Sequence, residues 1–469
     1  MSTLDFAALA AHATQRIDGR RAVVIGASLA GLLAARVLHD HFDEVIVLDR
    51  DALPEGNAHR KATPHTLHAH GLLARGRQVM EQLFPGITDE WVAQGARLGD
   101  LQSQLVFCAG HMRFAQAHSG VQGVAVGRTV IEGTVRRRVL ALPRVRACTG
   151  VDARALQASA DRSRITGVQV HNLAGGDPLH LNAALVVDAS GRGSRLPMWL
   201  QTLGYDAPRE QRVKVDIRYA TVYLEREASH APGMEAVLCA ATPEHPRIGV
   251  MLAQEGQRWV ATLGGYGNDA PPLDTAGFVE RAQHMAGEIG STVRAARFAG
   301  EPMGYRFAHS QRRRYEQLGR FPDGLLALGD SVCSFNPIYG QGMTVAACEV
   351  LALSDCLAQG EAALARRFFR RAARIVDVAW DTAVSADLAI DSVEGERTLA
   401  VRLINAYVAR VFRAAQDDPA VGRAFLEVAH LLAQPQSLMR PAIVARVVRA
   451  LWRHRRGGPL ALPGSASAA

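Results

Sequence analysis

The chain has 469 residues, of which 48% are hydrophobic and 21% are charged. This length suffices for two or three domains, and the balance of apolar and charged residues is that of a globular protein rather than a disordered one. No run of eighteen apolar residues occurs, so the sequence predicts no membrane-spanning helix. Residues 1–19 lack the basic start and apolar run of a signal peptide.

The formal net charge of +8 comes almost entirely from arginine, since Lys61 and Lys214 are the only lysines. The arginines are spread along the chain without interleaved aromatic residues, so we expect no nucleic-acid partner. The six cysteines form no C-x-x-C motif and no Cys/His cluster with metal-ligand spacing. We therefore expect a cytoplasmic protein without a bound metal.

Residues 20–49 follow the pattern strand, tight turn, helix, strand. The first glycine of the turn permits its sharp geometry, and the last allows helix and strand to pack closely below a pyrophosphate. Ser28 stands where the middle glycine of this motif usually lies, and Asp49 ends the second strand, where an acid accepts a ribose hydroxyl. The pattern predicts dinucleotide binding by Gly26, Ser28, Leu29, Ala30, Gly31 and Asp49.

The hydrophobic pattern of the rest of the chain predicts a helix, an antiparallel sheet and a helical C-terminal region. A helix is predicted over residues 72–84, ending at Pro85-Gly86. Residues 213–265 alternate and carry aromatic and β-branched side chains, which indicates an antiparallel sheet. From residue 343 onward the pattern is helical, with a loose tail at 464–469.

A second motif begins with the buried-strand pattern of residues 325–328 and continues as Gly329-Asp330. Asp330 can accept a hydrogen bond from a ribityl chain, and the glycines that follow let backbone N–H groups face a flavin ring. A helix that starts there would stabilise negative charge on reduced flavin. The motif predicts FAD rather than NAD, bound through Gly329, Asp330, Pro337, Gly340, Gly342 and Met343.

With the segment 188–195 (Asp-Ala-Ser-Gly-Arg-Gly-Ser-Arg) after a buried strand, these two motifs resemble the FAD-dependent class A monooxygenases of the para-hydroxybenzoate hydroxylase fold, over about residues 20–350. Within this family the chain most resembles bacterial polyketide epoxidases and hydroxylases related to squalene epoxidase. The likeness lies in four segments: His59-Arg60-Lys61, Pro64, His68-Ala69-His70 and residues 335–340. These relatives usually have Gln and Arg after the proline, where this chain has His65 and Leu67.

The resemblance implies an α/β fold: a Rossmann-like FAD-binding domain with a central parallel sheet, an antiparallel substrate domain and C-terminal helices. It adds Arg50, Arg60, Arg128 and Asp188 to the cofactor-binding residues. The corresponding domains are 18–75, 120–200 and 310–370 for FAD, 76–119 and 201–309 for substrate, and 371–460 for the helical region.

The implied activity is insertion of one oxygen atom from O2 into an apolar small molecule through a flavin C4a-hydroperoxide, in secondary metabolism. NAD(P)H or a separate flavin reductase would supply the electrons. No catalytic acid or base is assigned, and Tyr219, Tyr305 and Phe307 are candidate substrate-binding residues. Alternatives are a reductase of the geranylgeranyl reductase type, which saturates an alkene, and a non-catalytic flavin-binding redox partner. The absence of a Trp-x-Trp pair disfavours halogenation.

Residues 438–456 combine an apolar stripe, Ile443, Val447 and Leu451, with six arginines. A basic amphipathic helix of this kind can lie on an anionic membrane. The same pattern also fits a helix that docks over the substrate sheet with its charges in water, and docking is the favoured interpretation.

Overall fold

A computed structural model describes residues 3–14, 19–60 and 63–456 of the chain. Lys61, the loose tail and the outermost limits of the predicted domains, residues 18 and 457–460, lie outside the described residues. The strands are β1 Thr3–Leu4, β2 Arg21–Ile25, β3 Glu44–Asp49, β4 Arg97–Asp100, β5 Leu105–Ala109, β6 Met112–Arg113, β7 Gln122–Ala125, β8 Val145–Thr149, β9 Val151–Ala158, β10 Ile165–Asn172, β11 Leu179–Asn182, β12 Leu185–Asp188, β13 Glu210–Glu225, β14 Ala236–Ala240, β15 Arg247–Gln254, β16 Arg258–Tyr266, β17 Met303–Arg313, β18 Leu325–Ala327 and β19 Cys333–Ser334.

The helices connect and cover these strands. They are α1 Phe6–Thr14, α2 Leu29–Leu38, α3 Ala74–Leu83, α4 Ile87–Ala93, α5 Arg128–Leu140, α6 Leu196–Thr202, α7 Thr275–Gln283, α8 Ile289–Ala295, α9 Gly342–Ala358, α10 Leu364–Asp387, α11 Leu399–Ala415, α12 Pro419–Ala429 and α13 Pro441–Arg456.

A six-stranded parallel sheet forms the first layer, in the order β1-β8-β3-β2-β12-β18. Strand β2 is buried along its whole length, as a parallel strand covered on both faces should be. The predicted strand-turn-helix-strand unit is confirmed as β2, α2 and β3. Because β12 pairs with both β2 and β18, the two predicted cofactor motifs end at the same edge of the sheet.

An eight-stranded sheet forms the second layer, in the order β19-β17-β13-β16-β15-β14-β5-β6. Its pairings are antiparallel except for the parallel pair β14 and β5. The antiparallel sheet predicted over residues 213–265 is therefore confirmed. The short strand β19 follows the Gly-Asp turn, so the two layers are joined directly at the second cofactor motif.

Helix α3 packs against α9 and helix α4 against α5, although most of their residues fall in the predicted substrate segment 76–119. Val79, Met80, Ile87 and Trp91 are buried in the same apolar core as strands β2 and β3. The helix predicted over 72–84 is confirmed as α3. We propose to move the first boundary of the FAD-binding domain beyond α4, because both helices share its core.

Helix α13 docks, but on other helices rather than over the face of the substrate sheet. Val447 and Ala450 are buried against Val411 and Ala414 of α11, in a small core that reaches Phe114 beyond the sheet edge. The Arg446 guanidinium lies 3.0 Å from the Asp418 carboxylate. Val448 and Trp452 on the same helix are exposed.

No helix among the described residues is both long and apolar enough to cross a bilayer.

Truncation after Ser437 removes α13 and uncovers Val411 and Ala414 of α11. Each fully buried aliphatic side chain contributes roughly 1.5–3 kcal/mol, so we expect a clear loss of thermal stability, on the order of several degrees, in a melting experiment. We also expect the intact protein not to co-sediment with anionic liposomes at low salt. If the intact protein co-sediments with the liposomes, and the truncated protein does not but melts at the same temperature, α13 binds the membrane instead.

Candidate functional site

A continuous cavity of about 1090 Å³ lies between the carboxyl ends of the parallel strands and one face of the antiparallel sheet. Ligands of open α/β sheets bind outside the carboxyl ends of the strands, which is where this cavity begins. Most of the predicted site residues lie on its wall: Gly26, Ser28, Leu29, Ala30, Asp49, Arg50, Arg60, Arg128, Gly329, Asp330, Pro337, Gly340, Gly342 and Met343, and on the substrate side Tyr219, Tyr305 and Phe307.

The first glycine turn has no room for side chains. Gly26 has a φ of 105°, and a Cβ there would lie 2.4 Å from the Ala189 carbonyl oxygen. A Cβ on Gly31 would lie 1.8 Å from the Gly26 carbonyl oxygen. Gly31 is thus absent from the cavity wall, and its role is the close packing of α2 on the turn, as its position in the motif predicts.

The N-terminus of α2 is open to a ligand. Ser28 precedes the helix but its side chain makes no capping hydrogen bond; its hydroxyl lies 3.2 Å from a Glu132 carboxylate oxygen. The first N–H groups of a helix need acceptors, and a phosphate is a suitable one. Since Leu29 and Ala30 line the cavity, this end fits the pyrophosphate of a dinucleotide.

Buried charges organise this end of the cavity. The Arg60 guanidinium lies 2.9 Å from the Asp49 carboxylate and 3.3 Å from that of Glu132. Asp49 also accepts a 2.6 Å hydrogen bond from the Ala27 N–H. Arg60 therefore ties the strand-end acid to helix α5. Arg50 is largely exposed, 3.9 Å from the Asp152 carboxylate.

Glu132 is a site residue that the sequence analysis missed. It is buried, and its carboxylate lies 3.2 Å from Arg128 and 3.9 Å from Arg136, one turn away on either side. Burial raises the pKa of Glu132, but Arg128, Arg60 and Arg136 outweigh it and lower the pKa overall. The Arg-x-x-x-Glu-x-x-x-Arg spacing in α5 was the available signal, because residues four apart share a helix face.

The second motif meets the first by direct contact. Gly329 has a φ of 64°, and a Cβ there would lie 2.8 Å from the Ala30 Cβ. The Gly329 N–H donates to the buried Glu349 carboxylate at 2.8 Å. Asp330 lines the cavity, and burial raises the pKa of its carboxyl group, although the charges of Arg128 and Arg192 oppose the rise.

Helix α9 supplies a second open N-terminus. The residue before it, Gln341, makes no side-chain cap, and Gly342 would meet nothing within 4 Å if it carried a Cβ. Gly340 adopts a φ of 64° in the turn that leads into the helix. Bare backbone N–H groups therefore face the cavity, as the motif predicts for a flavin-binding turn.

Asp188 does not line the cavity, in contrast to its predicted cofactor contact. It is fully buried, and its carboxylate accepts hydrogen bonds from the Ser190 N–H at 3.0 Å and from the Ser194 hydroxyl. Burial raises its pKa. The carboxylate turns into the loop 189–193, so Asp188 positions this loop, whose residues do line the cavity.

The predicted substrate-side residues come together at the antiparallel sheet. Tyr219 and Tyr305 are register partners on β13 and β17, with ring centroids 5.3 Å apart. Phe307 lies under the Arg192 guanidinium, 4.8 Å from its ring centre. The remaining wall on this side combines aliphatic residues with a few polar ones: Leu101, Leu105, Ala236, Leu238, Ile248, Val250 and Leu252, and Arg97, Asp100, Gln104, Glu235 and Thr262.

The segment that carries His65, His68 and His70 lies against this substrate side. The His68 ring stands edge-on to Tyr219 at 5.0 Å, and its Nδ1 lies 2.9 Å from the Thr221 hydroxyl. Burial lowers the pKa of His65 and His68 to about 4 and that of His70 to about 3, so all three are neutral at pH 7. Among residues 3–14, 19–60 and 63–456, no group of three His, Cys, Asp or Glu side chains is arranged to hold a metal.

Another buried acid, Asp387, joins helix α10 to the turn at residues 336–340. Asp387, at the end of α10, accepts 2.8 Å hydrogen bonds from the Asn336 amide and the Tyr339 hydroxyl. Asn336 in turn accepts from the Ile338 N–H. Burial raises the pKa of Asp387 to about 7, although both hydrogen bonds oppose the rise.

Comparison with known proteins agrees with this architecture. Residues 20–366 match the FAD binding domain family. The chain belongs to this family, and its fold is that of the class A flavin-dependent monooxygenases. It is 36% identical to protein Rv3254 of Mycobacterium tuberculosis (strain ATCC 25618 / H37Rv) over 340 residues, 69% of this chain and 70% of that protein.

Solved structures share the fold at low sequence identity. The flavin-dependent brominase Bmp2 superposes with a TM-score of 0.64 and 13% identity, covering 93% of this chain and 99% of that one. The p-nitrophenol 4-monooxygenase PnpA of Pseudomonas putida DLL-E4 gives a TM-score of 0.61 at 15% identity, covering 88% and 98%.

Replacing Asp330 with Ala removes a carboxylate that faces the cavity between the two motifs. A hydrogen bond to a charged group contributes about 1.5–3 kcal/mol, which corresponds to roughly 10- to 150-fold weaker FAD binding. Absorbance of the purified protein and titration of the apoprotein with FAD measure this. The exposed Asp206, which is absent from the cavity wall, provides the control D206A. Equal FAD affinity in both variants contradicts the role.

Replacing Asp387 with Asn tests this buried acid through the pH dependence of stability. The folded-state pKa near 7 lies above the unfolded value near 3.9, so folding takes up a proton between these values. The contribution of this group to stability is complete below about pH 4 and is lost as the pH rises through about 7. We expect the melting temperature of the native protein to fall relative to D387N across this window. Parallel melting curves for the two proteins would show that Asp387 does not titrate there.

Proposed function

We propose that the protein is an FAD-dependent monooxygenase that inserts one oxygen atom from O2 into an apolar small molecule, by epoxidation or hydroxylation. The observation that carries this proposal is the single cavity, which joins two open helix N-termini to an aliphatic wall of the antiparallel sheet. One end fits a dinucleotide and the other an apolar ligand.

The chain's own residues bind and orient in this proposal. The N-terminus of α2 would hold the pyrophosphate, with Asp49 at the ribose and Arg60 fixing that acid. Asp330 would accept a hydrogen bond from the ribityl chain, and the N-terminus of α9 would face the ring. Asp188 and Glu132 act as positioning residues behind this surface.

When bound, the flavin supplies the electrons and the activated oxygen. The protein has to exclude water and hold the substrate beside the ring, and no acid-base pair is required. The aliphatic wall and the stacked Tyr219 and Tyr305 support an apolar or aromatic substrate. A role in secondary metabolism, a cytoplasmic location and electron supply by NAD(P)H or a separate reductase belong to the same proposal.

Purified protein should contain one FAD per chain, because both halves of one flavin site are present. Denaturation followed by chromatography of the released cofactor gives its identity and amount. Release of FMN or NAD, or of no nucleotide after reconstitution with FAD, would contradict the assignment.

Oxygen insertion should be detectable by mass spectrometry of the product. Incubation under 18O2 with NADH, NADPH or a separate flavin reductase and a panel of polyenes and aromatic polyketides should add one 18O atom to a product. Incubation without the protein is the control. A product that gains two hydrogens without oxygen consumption would establish the alkene reductase, and absence of turnover with the whole panel would favour the non-catalytic partner.

A further inference from the structure

The C-terminal helices contribute a polar group to the substrate side of the cavity. His430 follows the last turn of α12, and its ring lies on the cavity wall. Its neighbours in the chain, Leu426 and Leu432, belong to the apolar cluster that includes the wall residues Leu101, Leu105 and Leu252. His430 is therefore placed beside the aliphatic part of the cavity wall, at the N-terminus of α3.

The protonation of this ring follows from its hydrogen bond. The Ala74 N–H, the first of helix α3, donates to His430 Nδ1 at 3.2 Å, and the Arg75 N–H donates to the His430 carbonyl oxygen at 3.3 Å. An imidazole nitrogen that accepts a hydrogen bond carries no proton, so the proton of the neutral ring is on Nε2.

The neutral form is the stable one here. Leu73 precedes α3 and has no side chain that could cap it, so His430 replaces the missing cap. A cation at a helix N-terminus is unfavourable. Burial also lowers the pKa of His430 to about 4.

The structure gives His430 a side-chain hydrogen bond at Nδ1 and none at Nε2 among the residues that it describes, and Nε2 is not one of the inaccessible unpaired atoms, so this N–H is accessible from the cavity. A donor in an apolar pocket costs free energy when it is unpaired, so such a pocket discriminates against ligands that lack an acceptor. The capping bond holds the ring in place, which keeps this donor in a fixed orientation.

We propose that His430 is a specificity-determining residue, and that the substrate is an otherwise apolar molecule with a carbonyl-type oxygen, such as a ketone or quinone, which accepts a hydrogen bond from His430 Nε2. This inference deepens the proposed function and rests on it, since it assigns the substrate class of the same cavity. Capping of α3 requires only Nδ1. A test of the proposal must therefore detect the hydrogen bond from Nε2 to the oxygen of the ligand.

The test compares two ligands that differ only in the carbonyl group, 1-tetralone and tetralin. Their dissociation constants are measured by calorimetry on the oxidised, FAD-loaded protein without an electron donor. A pocket without a donor favours tetralin, because the carbonyl loses its hydration without compensation. We expect the native protein to bind 1-tetralone more tightly, and H430N to reduce this preference on the order of tenfold.

The variants separate binding from capping. Asn at position 430 can still accept from the Ala74 N–H but has no donor at the Nε2 position, whereas H430Q restores an N–H near that position and should recover part of the preference. The exposed His284 provides the control H284N, which should change nothing. Melting temperature and FAD content show that each variant is folded.

Two results would overturn the proposal. One is a native protein that binds 1-tetralone no better than tetralin, or that binds neither. The other is an unchanged preference in folded H430N. Because these measurements involve no turnover, a failure to insert oxygen in the 18O2 experiment would refute the proposed function while leaving the binding preference intact.

Discussion

Two helix N-termini without side-chain caps open at the same edge of the parallel sheet, and the rest of the site is arranged around them. The helices α2 and α9 lie far apart in the chain, but β12 pairs with the strands that precede both. The contact between Ala30 and Gly329 leaves no space for a larger residue at position 329. Uncapped N–H groups attract an anion, so the two adjacent helix N-termini suit this edge of the sheet to a dinucleotide.

Buried acids hold the segments that surround these helices. Glu132 joins Arg60 and Arg128 near the N-terminus of α2, and Asp387 joins Asn336 and Tyr339 near the N-terminus of α9. A buried carboxyl group is costly unless it is ion-paired or hydrogen-bonded, so each acid ties together the segments that supply its partners. Arg60 and Asp387 come from segments outside the two glycine motifs, and their pairing fixes the position of these motifs relative to the remaining chain.

The C-terminal helices complete the cavity as well as covering it. The end of α12 brings His430 to the wall and caps α3, while α13 packs on α11 and α12 at the sheet edge. The apolar ligand space is thus bounded by elements from three parts of the chain.

The sequence alone determined the βαβ unit, the Gly-Asp turn and most of the cofactor wall, because close backbone approach restricts residue type at positions such as Gly26 and Gly329. Tyr219 and Tyr305, two of the candidate substrate-binding residues, lie on the cavity wall because the pairing of β13 with β17 brings them together. Only the tertiary structure decided the roles of Glu132 and His430, and it turned Asp188 inward, away from the cavity. These roles depend on which distant segments meet, and no local pattern encodes the direction of a side chain relative to a partner far away in the chain.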